Sequence, residues 1–264
     1  MNNSVVICSA QMDSVWNNPV RNLEKARKFI KEASENGAAI ISFPEQFITG
    51  WSPRDYPPDS DARHILSSHS AEYGISVLGS EISYDEDMLP RNTAFVVDDM
   101  GREVASYSKI HLFSPAGEDK NYSSGRDLAV FKIDGIQFGI AICYDLRFGD
   151  LFSMYAVKGV HCMLVPAAWP CERLRHWKLL IRSRALDHQI YVSGVNATGK
   201  NPIGHYCGGS MTAGPSGEVK SLAGDGECLI YSSIDLEELE NVRLPFPVRH
   251  DRRDDIYGHP GGNR

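Results

Sequence analysis

Cys143 follows the apolar run Phe138-Gly139-Ile140-Ala141-Ile142 and precedes the polar stretch Tyr144-Asp145-Leu146-Arg147. A cysteine at a strand's end, just before a helix or tight turn, sits where backbone N–H groups converge. Such groups lower a thiol's pKa and hold an oxyanion, which is what nucleophilic catalysis at a carbonyl needs. Buried cysteine is also a common small core residue, so position alone leaves both readings open. The other five cysteines, at 8, 162, 171, 207 and 228, lack this flank and read as structural.

Glu45 closes the apolar segment Ile40-Ile41-Ser42-Phe43-Pro44 and is followed by Gln46-Phe47-Ile48. A carboxylate placed there loses hydration, and its pKa is expected to rise towards general-base range unless a cation compensates. Lys109 is a candidate for that cation, because it ends Ala105-Ser106-Tyr107-Ser108 and leads into Ile110-His111-Leu112-Phe113. Each has a bland alternative: a capping or ion-paired glutamate, and a solvated surface lysine. Glu118, in the loop Ala116-Gly117-Glu118-Asp119, is uninformative by itself.

The elements that must position these residues alternate between strand and helix. Val5–Ala10 reads as a buried strand, and Asn18-Pro19 opens a helix with Asn18 as N-cap and Pro19 at its first position. Leu23, Ala26, Phe29, Ile30 and Ala33 recur at three- and four-residue steps along it, and Gly37 stops it. Ala38–Phe43 is a second buried strand that delivers Glu45. A helix over Asp61–Tyr73 and a strand over Ile75–Glu81 follow. Asn92–Val97 and Glu103–Ser108 form a hairpin around Asp99-Met100-Gly101, a sequence suited to a turn. Val130–Ile133 pairs with Ile136–Ile142 across Asp134-Gly135. Helices near 150–158 and 172–188 then alternate with strands at 160–165 and 190–195, and Gly208–Ala213 and Cys228–Ile234 are final strands. The pattern is one α/β domain over 1–264, with a charged, then Gly-rich and loose tail from Arg249 to Arg264.

Composition excludes several other functions. The chain has 264 residues, 42% hydrophobic and 23% charged, which is an ordinary globular composition. Its net charge of -7 offers no general basic surface for nucleic acid. It has no apolar run long enough for a membrane span and no leader-like start, so a cytoplasmic enzyme with reduced cysteines is expected. C-x-x-C, H-E-x-x-H, G-x-S-x-G, Walker A and a complete G-x-G-x-x-G are all missing, which leaves zinc, serine-hydrolase, NTP and dinucleotide chemistry without support.

Taken together, three ordered blocks resemble the signature of the nitrilase superfamily of carbon–nitrogen hydrolases: Phe43-Pro44-Glu45, Tyr107 to Phe113, and Cys143 to Phe148. Arg91-Asn92-Thr93-Ala94, Pro166 to Pro170, His176-Trp177 and Asp251-Arg252-Arg253 extend the likeness over about residues 4 to 257. Gly149-Asp150 and Asp187-His188 depart from the commoner Pro-Glu and Glu-Asn of that family. The resemblance implies a four-layer α-β-β-α sandwich and a homodimer, or a larger homo-oligomer, paired through helices. It makes Cys143 the nucleophile, Glu45 the general base and Lys109 the cationic stabiliser, with Glu118 positioning substrate and the lysine. It requires no metal or organic cofactor. Tyr144 supplies a backbone N–H to the oxyanion, and Trp169 and Arg173 are candidates for the substrate pocket wall and for a carboxylate contact. The substrate class implied first is a short dicarboxylic acid monoamide, as in omega-amidase-like members. N-carbamoyl amines or aliphatic amides come next, and nitriles after them. A non-catalytic scaffold on the same fold is the alternative from another class.

Overall fold

The computed structural model describes residues 3–54, 61–84 and 88–257. Its first sheet begins with β1 (Ser4–Gln11), after which α1 (Pro19–Glu35) returns the chain to β2 (Ile40–Ser42). The Asn18 side chain accepts from the Arg21 N–H at 3.2 Å, capping α1 as its sequence implies. Helix α2 (Ala62–Tyr73) leads to β3 (Ser76–Tyr84), and the hairpin β4 (Pro90–Val97) and β5 (Glu103–Ser108) completes this part.

The second half repeats the device. The hairpin β6 (Val130–Ile133) and β7 (Ile136–Ile140) is followed by α3 (Gly149–Val157), β8 (Cys162–Ala167), α4 (Leu174–His188) and β9 (Tyr191–Asn196). A small hairpin, β10 (Thr198–Lys200) and β11 (His205–Cys207), precedes β12 (Met211–Ala213) and β13 (Val219–Leu222). Last come β14 (Cys228–Asp235), α5 (Leu236–Arg243) and α6 (Asp254–Tyr257).

Two six-stranded sheets result, in the orders β14-β1-β2-β3-β4-β5 and β13-β12-β9-β8-β7-β6. Strands β1, β2 and β3 run parallel, as do β7, β8 and β9. Ile7, Ile40, Leu78 and Val96 of the first sheet share one buried core with Phe138, Ile140, Leu164 and Tyr191 of the second. The outer face of the first sheet packs on α1 and α2 through Leu23, Ala26, Ile30 and Leu66. That of the second packs on α3 and α4 through Phe152, Tyr155, Trp177 and Ile181. The layers therefore run α-β-β-α, as expected. Apolar burial of each such side chain stabilises by roughly 1.5–3 kcal/mol relative to exposure.

The expected elements are present with end shifts of a few residues, and the exceptions are informative. Residues 141 and 142 leave the strand that was expected to continue through them, because the chain turns there to present Cys143. Residues 208–210 likewise stay outside β12. The β10–β11 hairpin, β13 and α5 had no strong periodic signal. The end of the expected loose tail, 258–264, lies outside the described residues. Gly139 shows how tightly the strand before Cys143 is packed: a Cβ there would lie 2.6 Å from Met163 Sδ and 2.7 Å from the Tyr155 ring. The Tyr155 hydroxyl in turn donates to the Ile140 carbonyl at 2.5 Å.

Candidate active site

The site forms where the two sheets meet, at the carboxyl ends of their parallel strands, the usual place for ligands in α/β sheets. The turn after β2 carries Glu45. It is fixed by the Gln46 N–H donating to Ser80 Oγ at 3.0 Å and by Asn22 Nδ2 of α1 donating to the Ile48 carbonyl at 2.8 Å. Stacked Phe43 and Phe47 rings, 4.6 Å apart, brace the same turn. Lys109 follows β5, and Cys143 opens a 3-10 turn, 143–147, just beyond β7. Residues 109 and 118, nine positions apart, come to one point with residue 45, which lies 64 positions before Lys109.

There the Lys109 ammonium donates to Glu45 Oε1 at 2.7 Å and to Glu118 Oε2 at 2.9 Å. All three side chains are sealed from water, with 0% exposure at Lys109 and Glu45. Asn92 on β4 bridges the carboxylates, donating through Nδ2 to Glu45 Oε1 and Glu118 Oε1, both at 2.8 Å. Glu45 Oε2 accepts the Ala168 N–H at 3.0 Å, and Glu118 Oε2 accepts the Phe113 N–H at 2.6 Å. Burial opposes the charge on Lys109, but Glu118 and Glu45 outweigh it and hold its pKa well above the ordinary lysine value. The compensating cation anticipated for Glu45 is thus in direct contact with it.

Cys143 is partly exposed and stands at φ 45°, left-handed backbone that a non-glycine residue adopts at a cost of about 1–3 kcal/mol. Its thiol pKa is pushed well above the ordinary value by burial and by the Glu45 carboxylate, against the pull of Lys109. This is the opposite of the lowering expected from converging backbone N–H groups. The Glu45 carboxylate that raises it is also a hydrogen-bond partner of the thiol.

Asp145 holds the turn in this shape. It accepts from the Ile142 N–H at 2.9 Å, the Tyr107 hydroxyl at 2.8 Å, and the His111 N–H and Nδ1 at 2.9 and 2.7 Å. One buried carboxylate therefore ties the turn carrying Cys143 to the two residues flanking Lys109 by two positions. Asp145→Asn presents an amide donor to a ring of donors, so we expect a loss of about 1–3 kcal/mol in stability. A fall in kcat should accompany the lower Tm; an unchanged Tm and kcat would remove this positioning role. Arg184 supports the same turn by donating to the Leu146 and Arg147 carbonyls at 3.1 and 2.8 Å. The unusual Gly149 fits it, since a Cβ there would lie 3.1 Å from the Arg184 guanidinium.

A cavity of about 340 Å³ opens onto Cys143 and Lys109. Tyr144, Trp169 and Arg173 all line it, as does Arg147, which sequence reading left among the flanking residues. Trp169 is only 3% exposed and serves the core as well: its indole N–H donates to the Arg173 carbonyl at 2.9 Å, and its ring lies 5.5 Å from Trp177. The Arg147 guanidinium lies 4.9 Å from the Trp169 ring centre and that of Arg173 5.6 Å from Phe113, both within cation–π range. Sequence places Asn92, Asp145 and Arg147 only inside the blocks that resemble the family signature, because most of their partners are distant in the chain.

A profile described as carbon-nitrogen hydrolase matches residues 7–244. The chain belongs to the carbon–nitrogen hydrolase family. It is 32% identical over 256 residues to a 2-oxoglutaramate amidase of Bacillus subtilis, covering 95% of this chain and 98% of the relative. It is 33% identical over 250 residues to the human omega-amidase NIT2, covering 89% and 91%. Among solved structures it is similar to Saccharomyces cerevisiae Nit3, a member of branch 10 of the nitrilase superfamily. That similarity has a TM-score of 0.86 and 27% identity, with 95% and 97% of the two chains covered. The chain is accordingly an enzyme of carbon–nitrogen bond hydrolysis. Among the described residues, no helix is long and apolar enough to cross a membrane.

One expectation about this hydrolase is overturned outright. Cys171 and Cys207, expected to be reduced, form a disulfide with a Cα–Cα distance of 5.0 Å. Spacing could not reveal the pair, which is separated by 36 residues and meets only because the β10–β11 hairpin folds back on the 3-10 turn at 171–173. Cys8, Cys143, Cys162 and Cys228 remain free.

Proposed function

We propose that the enzyme hydrolyses short dicarboxylic acid monoamides to the diacid and ammonia, with Cys143, Glu45, Lys109 and Glu118 as its machinery. The observation that carries the substrate class is the pair of guanidinium groups, Arg147 and Arg173, lining the cavity onto which Cys143 opens. An arginine fork recognises a carboxylate bidentately, and in a partly desolvated pocket such a contact is worth about 1.5–3 kcal/mol.

In this reading Cys143 Sγ attacks the amide carbonyl as its proton passes to Glu45. The tetrahedral oxyanion is met by the Lys109 ammonium and the Tyr144 N–H, donors already in place before charge develops. Glu45 then protonates the departing nitrogen, ammonia leaves, and a thioester on Cys143 remains. Water enters the vacated space, gives its proton to Glu45 and attacks the thioester, and the thiol leaves with that proton. Glu118 and Asn92 keep the ammonium and the base in register through both halves. Each proton-transfer role contributes typically about 10²–10⁴-fold. No cofactor takes part in these steps. In the same reading the enzyme is a cytoplasmic homodimer paired through helices, with Leu179 and Leu186, exposed on α4, among the apolar side chains an interface covers.

The test is ammonia release across dicarboxylic monoamides, neutral amides of equal length, carbamoyl amines and nitriles. The monoamides should exceed the neutral amides in kcat/KM by at least about tenfold, the lower end of a charged hydrogen bond's worth. Arg173→Ala should remove most of that advantage through KM while leaving turnover of neutral amides nearly unchanged. Equal kcat/KM for charged and neutral amides would reject the carboxylate reading.

A further inference from the structure

We propose that the Cys171–Cys207 bond is a reversible thiol–disulfide site that fixes one wall of the substrate cavity, so that opening it weakens substrate binding. The proposal rests on the reading of this cavity as the amide site. Cys171 begins the 3-10 turn that carries Glu172 and Arg173, and Cys207 ends β11. Glu172 and Arg173 line the cavity from one side of the bond, and Ile203 to Tyr206 line it from the other. The disulfide therefore joins two separate segments of one wall. Besides it, a single bridge between Pro170 and Tyr206 pairs the two backbones. The hairpin itself has only two three-residue strands, too little pairing to hold a shape alone.

The sulfurs are also placed for exchange. Both cysteines are partly exposed, and His205 Nε2 lies 3.9 Å from Cys207 Sγ. An imidazole N–H at that distance donates to the Cys207 sulfur as the bond opens, which makes it the better leaving group. In the reduction, a thiolate of a small dithiol attacks Cys171 Sγ and the S–S bond breaks. Cys207 leaves as a thiolate and takes a proton. The dithiol's second sulfur then displaces Cys171, so two electrons and two protons reach the protein and the dithiol becomes a disulfide. Oxidised glutathione reverses the exchange. Partly exposed disulfides of this kind are the labile class, in contrast to those sealed in cores.

The experiment equilibrates the full chain with oxidised glutathione or with dithiothreitol, removes the reagent, and counts alkylatable thiols after denaturation. Each form is assayed anaerobically for kcat and KM on a dicarboxylic monoamide, and hydrogen exchange is followed over residues 198–207. The oxidised form should show two fewer thiols. The reduced form should show a KM about tenfold higher with kcat within about twofold, as for a wall that is in place about a tenth of the time. Exchange over the hairpin should quicken with it. Cys171→Ser and Cys207→Ser should each give the high KM in both buffers. Two outcomes overturn the proposal: both thiols staying alkylatable after the oxidant, or the bond opening with neither KM nor exchange responding. Absence of turnover in both buffers strikes the amide reading instead, and the exchange measurement then decides this one alone.

Discussion

Cys143→Ala leaves a folded protein whose ammonia release falls by at least about 10⁴-fold, since a catalytic nucleophile's removal has cost about 10⁶ in a comparable acyl-transfer enzyme. The parent should add an acyl mass to Cys143 when quenched during turnover, and the alanine variant should add none. Folding survives because alanine meets the same φ of 45° and the sulfur sits at a cavity floor, where its loss leaves no sealed void. The expected stability change is within the ordinary range of about 1 kcal/mol. Glu45→Gln separates the steps: shape is kept, the proton acceptor is lost, and both acylation and thioester hydrolysis slow by about 10²–10⁴-fold. Substantial turnover by the alanine variant, or an acyl mass on another residue, would displace Cys143 from the nucleophile's role.

Lys109→Met has the largest expected effect on stability. In the parent the ammonium is shared between two fully buried carboxylates at 2.7 and 2.9 Å. Without it, Glu45 and Glu118 face each other through Asn92 with no cation, and breaking a buried pair this way costs about 3–5 kcal/mol. Two such carboxylates cannot both stay ionised, so the folded variant holds a proton that the unfolded chain releases above about pH 4. The folded state then binds more protons than the unfolded one, so stability falls as pH rises through the neutral range. Tm measured from pH 5 to pH 8 should therefore drop more steeply in the variant than in the parent. The double variant Glu45→Gln/Lys109→Met removes one stranded charge and should recover part of the loss. A Lys109→Met protein as stable as the parent, with a flat pH response, would contradict the network. Its turnover should fall by at least about 10²-fold, the usual cost of one oxyanion donor.

Much of this was legible in the chain because strand ends leave a mark in sequence. Glu45, Lys109 and Cys143 each interrupt apolar surroundings where a buried strand gives way to a turn, and the burial of Glu45 and Lys109 follows from that pattern. The α1 helix announced itself through Asn18, Pro19 and one apolar face. What stayed hidden depends on tertiary neighbours. Asn92 reads as a polar residue on a strand until its partners 47 and 26 residues away are brought to it. Asp145 resembles any turn aspartate, and its role comes from Tyr107 and His111, brought close by the other sheet. The β10–β11 hairpin is too short for any periodic signal, so one wall of the cavity was missed, and the Cys171–Cys207 pairing with it. The direction of the Cys143 shift was hidden for the same reason: the Glu45 carboxylate that raises it approaches only in the closed sandwich.

The residues proposed to carry the reaction are divided between the two sheets, with Glu45, Asn92 and Lys109 on one and Cys143 and the Ala168 N–H on the other. Neither half alone holds both the proposed nucleophile and its base. Catalysis is consequently a gauge of cooperativity: in a urea titration the loss of turnover should track the melting of the interlayer contact, and a species with intact halves that have drifted apart should be inert. Any substitution that loosens the seam, however remote from the sulfur, will register first as lost activity and only later as lost ellipticity.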